Sequence, residues 1–183
     1  MKVLVVVDMQ KDFVDGSLGT PEAQAIIPNV KKKVEKAVKN GDLIIYTRDT
    51  HPKGYLSTRE GKRLPVKHCV HETEGWRILD ELLPPADYVK WVIRDKYTFG
   101  SLELPNCLLA GVDAYYGEDV FIEEIEIVGL VADICVISNA LILKAAFYES
   151  ATISVDSACT AGTTKENYQS ALNIMRSCQI EVI

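Results

Sequence analysis

The most constraining feature of this sequence is the alternation of short, unbroken apolar runs with stretches of helical spacing. Val3–Val7 is a continuous apolar run, β-branched except at Leu4, which suits a parallel strand buried on both faces rather than an edge strand with one wet side. Pro28 then opens a helical stretch that places Val30, Val34 and Val38 four residues apart, and Asn40-Gly41 supplies a stop signal. The same alternation continues along the chain. Strands are expected at Leu43–Thr47, Tyr88–Ile93, Ile125–Leu130, Thr152–Val155 and Ile180–Ile183. Helices are expected over Glu74–Leu83 (apolar face Trp76, Leu79, Leu83), Leu102–Leu109, Cys135–Tyr148 and Lys165–Ser177 (apolar face Tyr168, Leu172, Met175). Pro84-Pro85 would stop the first of these.

Six strands alternating with helices imply an α/β three-layer sandwich around a six-stranded, mostly parallel sheet. The commonest strand order for that count is 3-2-1-4-5-6, which puts strands 1 and 4 side by side at a topological switch point, where ligands bind at the carboxyl ends. With 183 residues and no linker, repeat or low-complexity tract, one domain over residues 1–183 is expected.

Bulk chemistry narrows the function. Hydrophobic residues make up 48% and charged residues 25%, and the net charge is −6, a balance that favours neither nucleic acid nor an anionic membrane. No apolar run approaches the ~20 residues of a membrane span. The opening MKVLVVVDMQ reads as a buried strand rather than a signal peptide, because Asp8 ends the run and no small-residue cleavage site follows. Five cysteines, an odd count without a C-x-x-C pair, argue against a disulfide scaffold or zinc ribbon and for a reducing cytoplasm.

Several polar residues fall at the carboxyl ends of expected strands. Asp8 closes the first apolar run; alone, it would read as a helix cap or loop acid. Cys135 follows strand 4 in GLVADICVISN, and the expected helix start there would lower its thiol pKa and offer N–H groups to an oxyanion. Asp133 is near the cap position and takes a structural role, while Cys107, Cys159 and Cys178 read as inert burial. The three histidines, His51, His68 and His71, fall within 21 residues. With Asp49 and Glu60 they form a mixed N/O set suited to Zn, Mn or Fe, with His71 a rival to His68; the alternative is a solvated loop with incidental histidines. Lys96, beyond strand 3, is on its own an ordinary surface lysine, and near a carboxylate it would hold that group ionised. The acidic stretch AYYGEDVFIEE is expected to be a solvated loop.

Taken together, VVVDMQKDF, the D-x-H after strand 2, the lysine after strand 3 and GLVADICV resemble the isochorismatase-like cysteine hydrolases, and within them the nicotinamidases. The resemblance runs from residue 1 to the final strand. It implies a catalytic Asp8, Lys96 and Cys135, with Lys90 as the alternative lysine because this chain reads DKYTFGS after strand 3. It implies a metal site at Asp49, His51 and His68, holding one divalent transition metal (Zn, Mn or Fe). Glu60 is favoured over Ser57 as fourth ligand. It also implies a cis peptide at Leu130-Val131, an oxyanion site at the N–H groups of Val131 and Cys135, and a substrate ring against Phe13. Many relatives carry Trp-Pro before the last metal histidine where this chain has Leu64-Pro65. The implied activity is hydrolysis of nicotinamide to nicotinate and ammonia through a cysteine thioester, as in NAD salvage, by a cytoplasmic homo-oligomer without nucleic-acid or membrane partners. Two alternatives stay open: an amidase of the same superfamily acting on a non-pyridine amide or carbamoyl substrate, and a non-catalytic small-molecule-binding protein on the same fold.

Overall fold

In the computed structural model, which describes residues 1–183, six parallel strands lie in the order β3-β2-β1-β4-β5-β6. In chain order the elements begin with β1 (Lys2–Val7), two short helices α1 (Lys11–Val14) and α2 (Pro21–Ala25), α3 (Ile27–Asn40) and β2 (Leu43–Asp49). After a long connection come β3 (Trp91–Lys96), α4 (Leu104–Tyr116) and β4 (Glu124–Leu130). A wide π-type turn (Ala132–Val136) leads into α5 (Ile137–Ala146), followed by β5 (Thr152–Ala161), α6 (Lys165–Ser177) and β6 (Glu181–Val182).

The period-2 geometry of the central strands divides the core into two layers. Val3, Val5 and Val7 of β1 face α4, α5 and α6, where Leu108, Val112, Leu143, Leu172 and Met175 cover them. Leu4 and Val6 face the other way, onto Val30, Val34 and Ala37 of α3. Both faces are therefore dry, which is why the strands read as unbroken apolar runs. Each buried valine contributes about 1.5–3 kcal/mol of apolar transfer free energy. Local signals agree with this packing. Gly41 ends α3 in the left-handed conformation (φ 75°) with its N–H bonded to Ala37 and Val38 carbonyls. Thr20 and Thr164 cap α2 and α6 by accepting from Ala23 N and Asn167 N, each at 3.0 Å.

Several elements differ from the sequence-based expectation. Glu74–Leu83 is not an α-helix and holds only a single 3-10 turn, Asp80–Leu82. Its backbone is engaged by the exit from β1: Lys11 N donates to Arg77 O, Asp12 N to Gly75 O and Leu79 N to Met9 O. Ile78, Leu79 and Leu82 are buried beneath α3, whereas Trp76 and Leu83 of the expected apolar face are only partly buried. β3 begins at Trp91, not Tyr88, and runs on to Lys96; Tyr88 sits in a turn with its hydroxyl on the Asp42 carbonyl. α4 extends to Tyr116, well beyond Leu109. Gly111, a residue that weakens an isolated helix, is accommodated because α4 packs so closely on β2 that a Cβ there would lie 2.8 Å from Leu43 Cδ2. The helical turn after β4 starts at Ala132, before Cys135, and α5 ends at Ala146. β5 runs six residues past Val155, to Ala161, with a register irregularity opposite Ile127–Gly129. Within AYYGEDVFIEE, Glu123 N donates to Met1 O and its carboxylate accepts from the N-terminal ammonium at 2.7 Å. That segment is therefore tied to the start of β1, the sheet end remote from Asp8. No helix is long and apolar enough to cross a membrane.

Candidate active site

The carboxyl ends of β1, β2, β3 and β4 bring together three groups of opposed chemistry. Asp8 immediately follows β1 and is fully buried, with a left-handed backbone (φ 47°) that turns the chain off the sheet. Its Oδ1 accepts from Thr47 Oγ1 at 2.7 Å. Lys96 is the last residue of β3, paired in register with Asp49 of β2. It therefore needs no loop to fold back over the site, as the expected strand boundary implied. From this buried position Nζ reaches Asp8 Oδ2 at 2.7 Å, Asp49 Oδ1 at 3.3 Å and Cys135 Sγ at 3.4 Å.

One ammonium thus faces two buried carboxylates and a thiol. Burial and the Asp49 charge push the Asp8 carboxyl above the usual range of 3.8, and Lys96 only partly offsets them. Asp49 goes the other way: burial opposes its ionisation, but His51, Lys96 and His68 together hold it below the usual value. Burial would strip the Lys96 proton, and Asp8, Cys135 and Asp49 more than restore it, so the lysine remains charged. The Cys135 thiol is pushed well up by burial and by the Asp8 charge. This reverses the expectation of a thiol acidified by a helix start. Cys135 is the fourth residue of its turn and lies beside a carboxylate, so it holds its proton until a base removes it, and Asp8 is within hydrogen-bonding reach of the thiol. The Leu130-Val131 peptide just before this turn is cis. Gly129 precedes it with φ 115°, a conformation that would aim a Cβ at the paired strand β1, 2.1 Å from the Val7 carbonyl oxygen, so only glycine fits.

Beside this cluster a second one forms. His51 follows β2, and its backbone is bracketed by the 69–71 segment: His51 N donates to Cys69 O, and His71 N to His51 O, both at 2.9 Å. That pairing swings His68 opposite His51, with ring centroids 4.7 Å apart and Tyr55 packed against both. One ligand atom from each of Asp49, His51 and His68 falls within 4.8 Å of the others. Glu60 Oε1 is 3.7 Å from both His51 Nε2 and His68 Nε2. Ser57 is exposed and its hydroxyl donates to Gly54 O, so it takes no part. His71 is half exposed and stacks on Trp76. Lys90 lies by Gly41 and Tyr116, away from the site.

These residues fit a metal ion. His68 Nδ1 is 2.8 Å from the Val66 carbonyl, which fixes the tautomer that leaves Nε2 as a lone pair facing the cluster. His51 Nε2 is buried without a hydrogen-bond partner; Asp49 Oδ2, 2.8 Å away, is out of line for one. Two imidazole nitrogens and two carboxylates suit Zn, Mn or Fe. The surroundings favour positive charge at this point: burial alone would lower the His51 pKa, and Asp49 and Glu60 raise it instead.

Both clusters open into one cavity of about 340 Å³, within the range of small-molecule sites. Cys135, Asp49, Glu60 and His68 line it, with Phe13, Phe99 and Ile134 as apolar walls. The Phe13 ring stands 5.5 Å from that of His68.

Further residues hold the site, and of these only Asp133 was given a structural role from the sequence. Gln10, fully buried, clamps the end of β2: Nε2 donates to Asp49 O and Trp76 O, each at 2.9 Å, and Oε1 accepts from Asp49 N at 2.7 Å. Asp12 Oδ2 accepts from Cys69 N at 2.7 Å and fixes the His68 loop. Asn139 ties the segment before α4 to the cysteine turn, accepting from Ser101 N and donating to Cys135 O. Asp133 anchors the turn from outside, accepting from Thr163 N at 2.8 Å. The signals for Gln10 were its place at a strand exit and within the VVVDMQKDF motif.

A family model described as the isochorismatase domain matches residues 2–183. A nicotinamidase of Schizosaccharomyces pombe is 28% identical over 98% of this chain and 91% of that protein. Among solved structures, the pyrazinamidase/nicotinamidase of Streptococcus mutans superposes with a TM-score of 0.80 at 26% identity, covering all of both chains. The pyrazinamidase of Pyrococcus horikoshii in complex with zinc gives 0.78 at 26% identity, over 100% of this chain and 98% of that one.

Proposed function

The chain belongs to the isochorismatase family, and we propose that within it the chain is a metal-dependent nicotinamidase that hydrolyses nicotinamide to nicotinate and ammonia through a thioester on Cys135. One observation carries this reading. A single cavity presents a thiol flanked by a buried carboxylate and ammonium on one wall, and on another Asp49, Glu60 and His68, which converge with His51 just behind them. Nicotinamide needs two such walls, because its reacting amide and its ring nitrogen are separated across the ring. The similarity to nicotinamidases and pyrazinamidases supports the same substrate class.

In this mechanism Asp8 accepts the Cys135 proton; its raised pKa makes it a base strong enough to do so and later an acid willing to return it. The thiolate attacks the amide carbon, a C–S bond forms, and the carbonyl electron pair moves onto oxygen. The backbone N–H groups of Cys135 and Val131 receive that oxyanion, each donor contributing about 2.7–4 kcal/mol by analogy with other oxyanion sites. Asp8 returns its proton to the leaving nitrogen, the C–N bond breaks, and ammonia departs. Asp8 then takes a proton from water, which attacks the thioester and releases nicotinate and the thiol. Lys96 remains protonated throughout and balances the charge that passes between Asp8 and Cys135. Phe13 and Ile134 confine the ring, and part of the ~7–11 kcal/mol available from orientation arises here. A divalent transition metal held by Asp49, His51, His68 and Glu60 would supply a Lewis-acid contact for the ring nitrogen.

Ammonia release from nicotinamide and pyrazinamide, measured with and without a chelator, tests the proposal. Turnover of both substrates that falls on chelation and returns with Zn, Mn or Fe is expected. A metal-loaded protein inactive on both would overturn it, and activity on other amides only would assign it to a different branch of the family.

A further inference from the structure

The catalytic cavity does not end at the substrate ring. A second cavity of about 610 Å³, nearly twice the size of the first, adjoins it, and Glu60, Leu64, Phe99 and Ile134 line both. A bare pyridine amide has no atoms to place there. The walls of this outer cavity have a definite chemistry. Arg59 and Arg63 stand on a turn with helical hydrogen bonds, Lys62 N to Thr58 O at 3.2 Å and Leu64 N to Glu60 O at 2.9 Å. Four residues apart on such a turn, the two guanidinium groups share a face. The turn is braced from below by Tyr55, whose hydroxyl donates to Leu64 O at 2.9 Å.

Neither guanidinium has a carboxylate partner. The arginine ion pairs of the chain are made by Arg48 and Arg77. The acid between them in sequence, Glu60, is turned inward to His51 and His68. Arg94 and Arg176 also lack a carboxylate partner, but they lie apart, Arg94 on Cys107 and Arg176 on Asn173, whereas Arg59 and Arg63 line one cavity together. Opposite them stand Tyr97 and Phe99, 73% and 48% exposed, on a segment held to the cysteine turn by Asn139. Guanidinium forks beside aromatic faces recognise a carboxylate or phosphate attached to a flat or apolar group.

We propose that this outer cavity is an anion subsite of the amidase, in which Arg59 and Arg63 bind a carboxylate or phosphate carried by the substrate beyond its reacting ring. The inference rests on the amidase reading above and extends its substrate class to ring amides bearing an acidic substituent. Because both arginines are exposed, the preference weakens as ionic strength rises.

The test compares 5-carboxynicotinamide with its neutral methyl ester, using nicotinamide as the reference. The wild type is expected to favour the acid over the ester at least tenfold in kcat/KM, with the difference residing in KM. Arg59→Ala/Arg63→Ala is expected to abolish that preference, and Arg59→Lys/Arg63→Lys to restore part of it. Equal kcat/KM on acid and ester in the wild type, or a preference that survives the double alanine variant, overturns the proposal. Calorimetric titration with pyridine-3,5-dicarboxylate and with nicotinate supplies a readout that needs no turnover. Tighter binding of the dicarboxylate that is lost in the double variant supports the subsite even if nicotinamide is not hydrolysed; equal binding refutes it. Inorganic phosphate separates a tethered group from a free anion: competition against the acid alone supports the subsite, and inhibition that persists in the double variant contradicts it.

Discussion

Lys96→Met removes one charge and keeps most of the aliphatic volume, which isolates the electrostatic role of the ammonium. Lys96 is 2.7 Å from Asp8, 3.3 Å from Asp49 and 3.4 Å from the Cys135 sulfur, all in a buried setting. Deleting one partner of a buried ion pair leaves an uncompensated charge and costs about 3–5 kcal/mol. In a chain of this size that corresponds to a fall in Tm of roughly 6–20 °C. The pH dependence has a definite sign. Asp8 has a folded-state pKa above 3.8, so its contribution to stability is complete at or below that value and is lost as pH rises through the folded value. Lys96 is the main group that lowers it, so the variant raises it further and widens the window of loss. Asp49 is held below 3.8 and stabilises the fold above that value; without Lys96 part of that contribution disappears. Both effects are largest near neutrality and shrink in acid. Urea denaturation of wild type and variant at pH 3.5 and pH 7.5, with chelator present so that metal binding does not contribute, spans the window that opens at 3.8 and reads this directly. A difference below about 0.5 kcal/mol at pH 7.5, the scale of an ordinary surface substitution, or one independent of pH, would refute the role given to Lys96.

Three further outcomes are expected. Glu60→Ala should lower the bound zinc content measured after dialysis at least tenfold, while Ser57→Ala and His71→Ala leave it unchanged; the reverse order would reassign the fourth ligand. The acid limb of kcat/KM should report a group above the ordinary carboxylate value of 3.8, since Asp8 must be ionised to accept the thiol proton and burial raises its pKa. A limb at or below 3.8 contradicts Asp8 as the base. Gly129→Ala should destabilise the fold by more than the ~1–3 kcal/mol of backbone strain alone, because the added Cβ also meets the Val7 carbonyl; a wild-type denaturation midpoint would show that β1 and β4 are less tightly apposed.

Much of the architecture was legible because the strands are buried on both faces. Val3–Val7 is an unbroken apolar run, Ile125–Leu130 is one interrupted only by Glu126 and Gly129, and the commonest order for six strands alternating with helices is the one found. The helix expected at Glu74–Leu83 failed for a non-local reason. Of its expected apolar face only Leu79 is buried, joined by Ile78 and Leu82, because Met9, Lys11 and Asp12 claim its backbone hydrogen bonds and no local pattern encodes those partners. β3 was placed three residues early because Tyr88 and Val89 look like strand residues, whereas a strand ending in Asp95-Lys96 looks like a surface loop. Lys96 is tolerated there only because three other elements bring their charges and the thiol to it. The same limit applies to Cys135. Its position after β4 was readable, but its raised pKa depends on burial beside Asp8, which is a property of the assembled sheet. Gln10 lay within a motif and still went unread, since its three hydrogen bonds reach Asp49 and Trp76, far along the chain.

The central claim is that Cys135 carries the acyl group. Rapid acid quenching of the metal-loaded enzyme during turnover of nicotinamide, followed by peptide mass analysis, measures it directly. The predicted result is a nicotinoyl adduct on the peptide containing Cys135, absent from Cys135→Ala along with ammonia release. Steady ammonia production by Cys135→Ala, or an adduct on another residue, would contradict it.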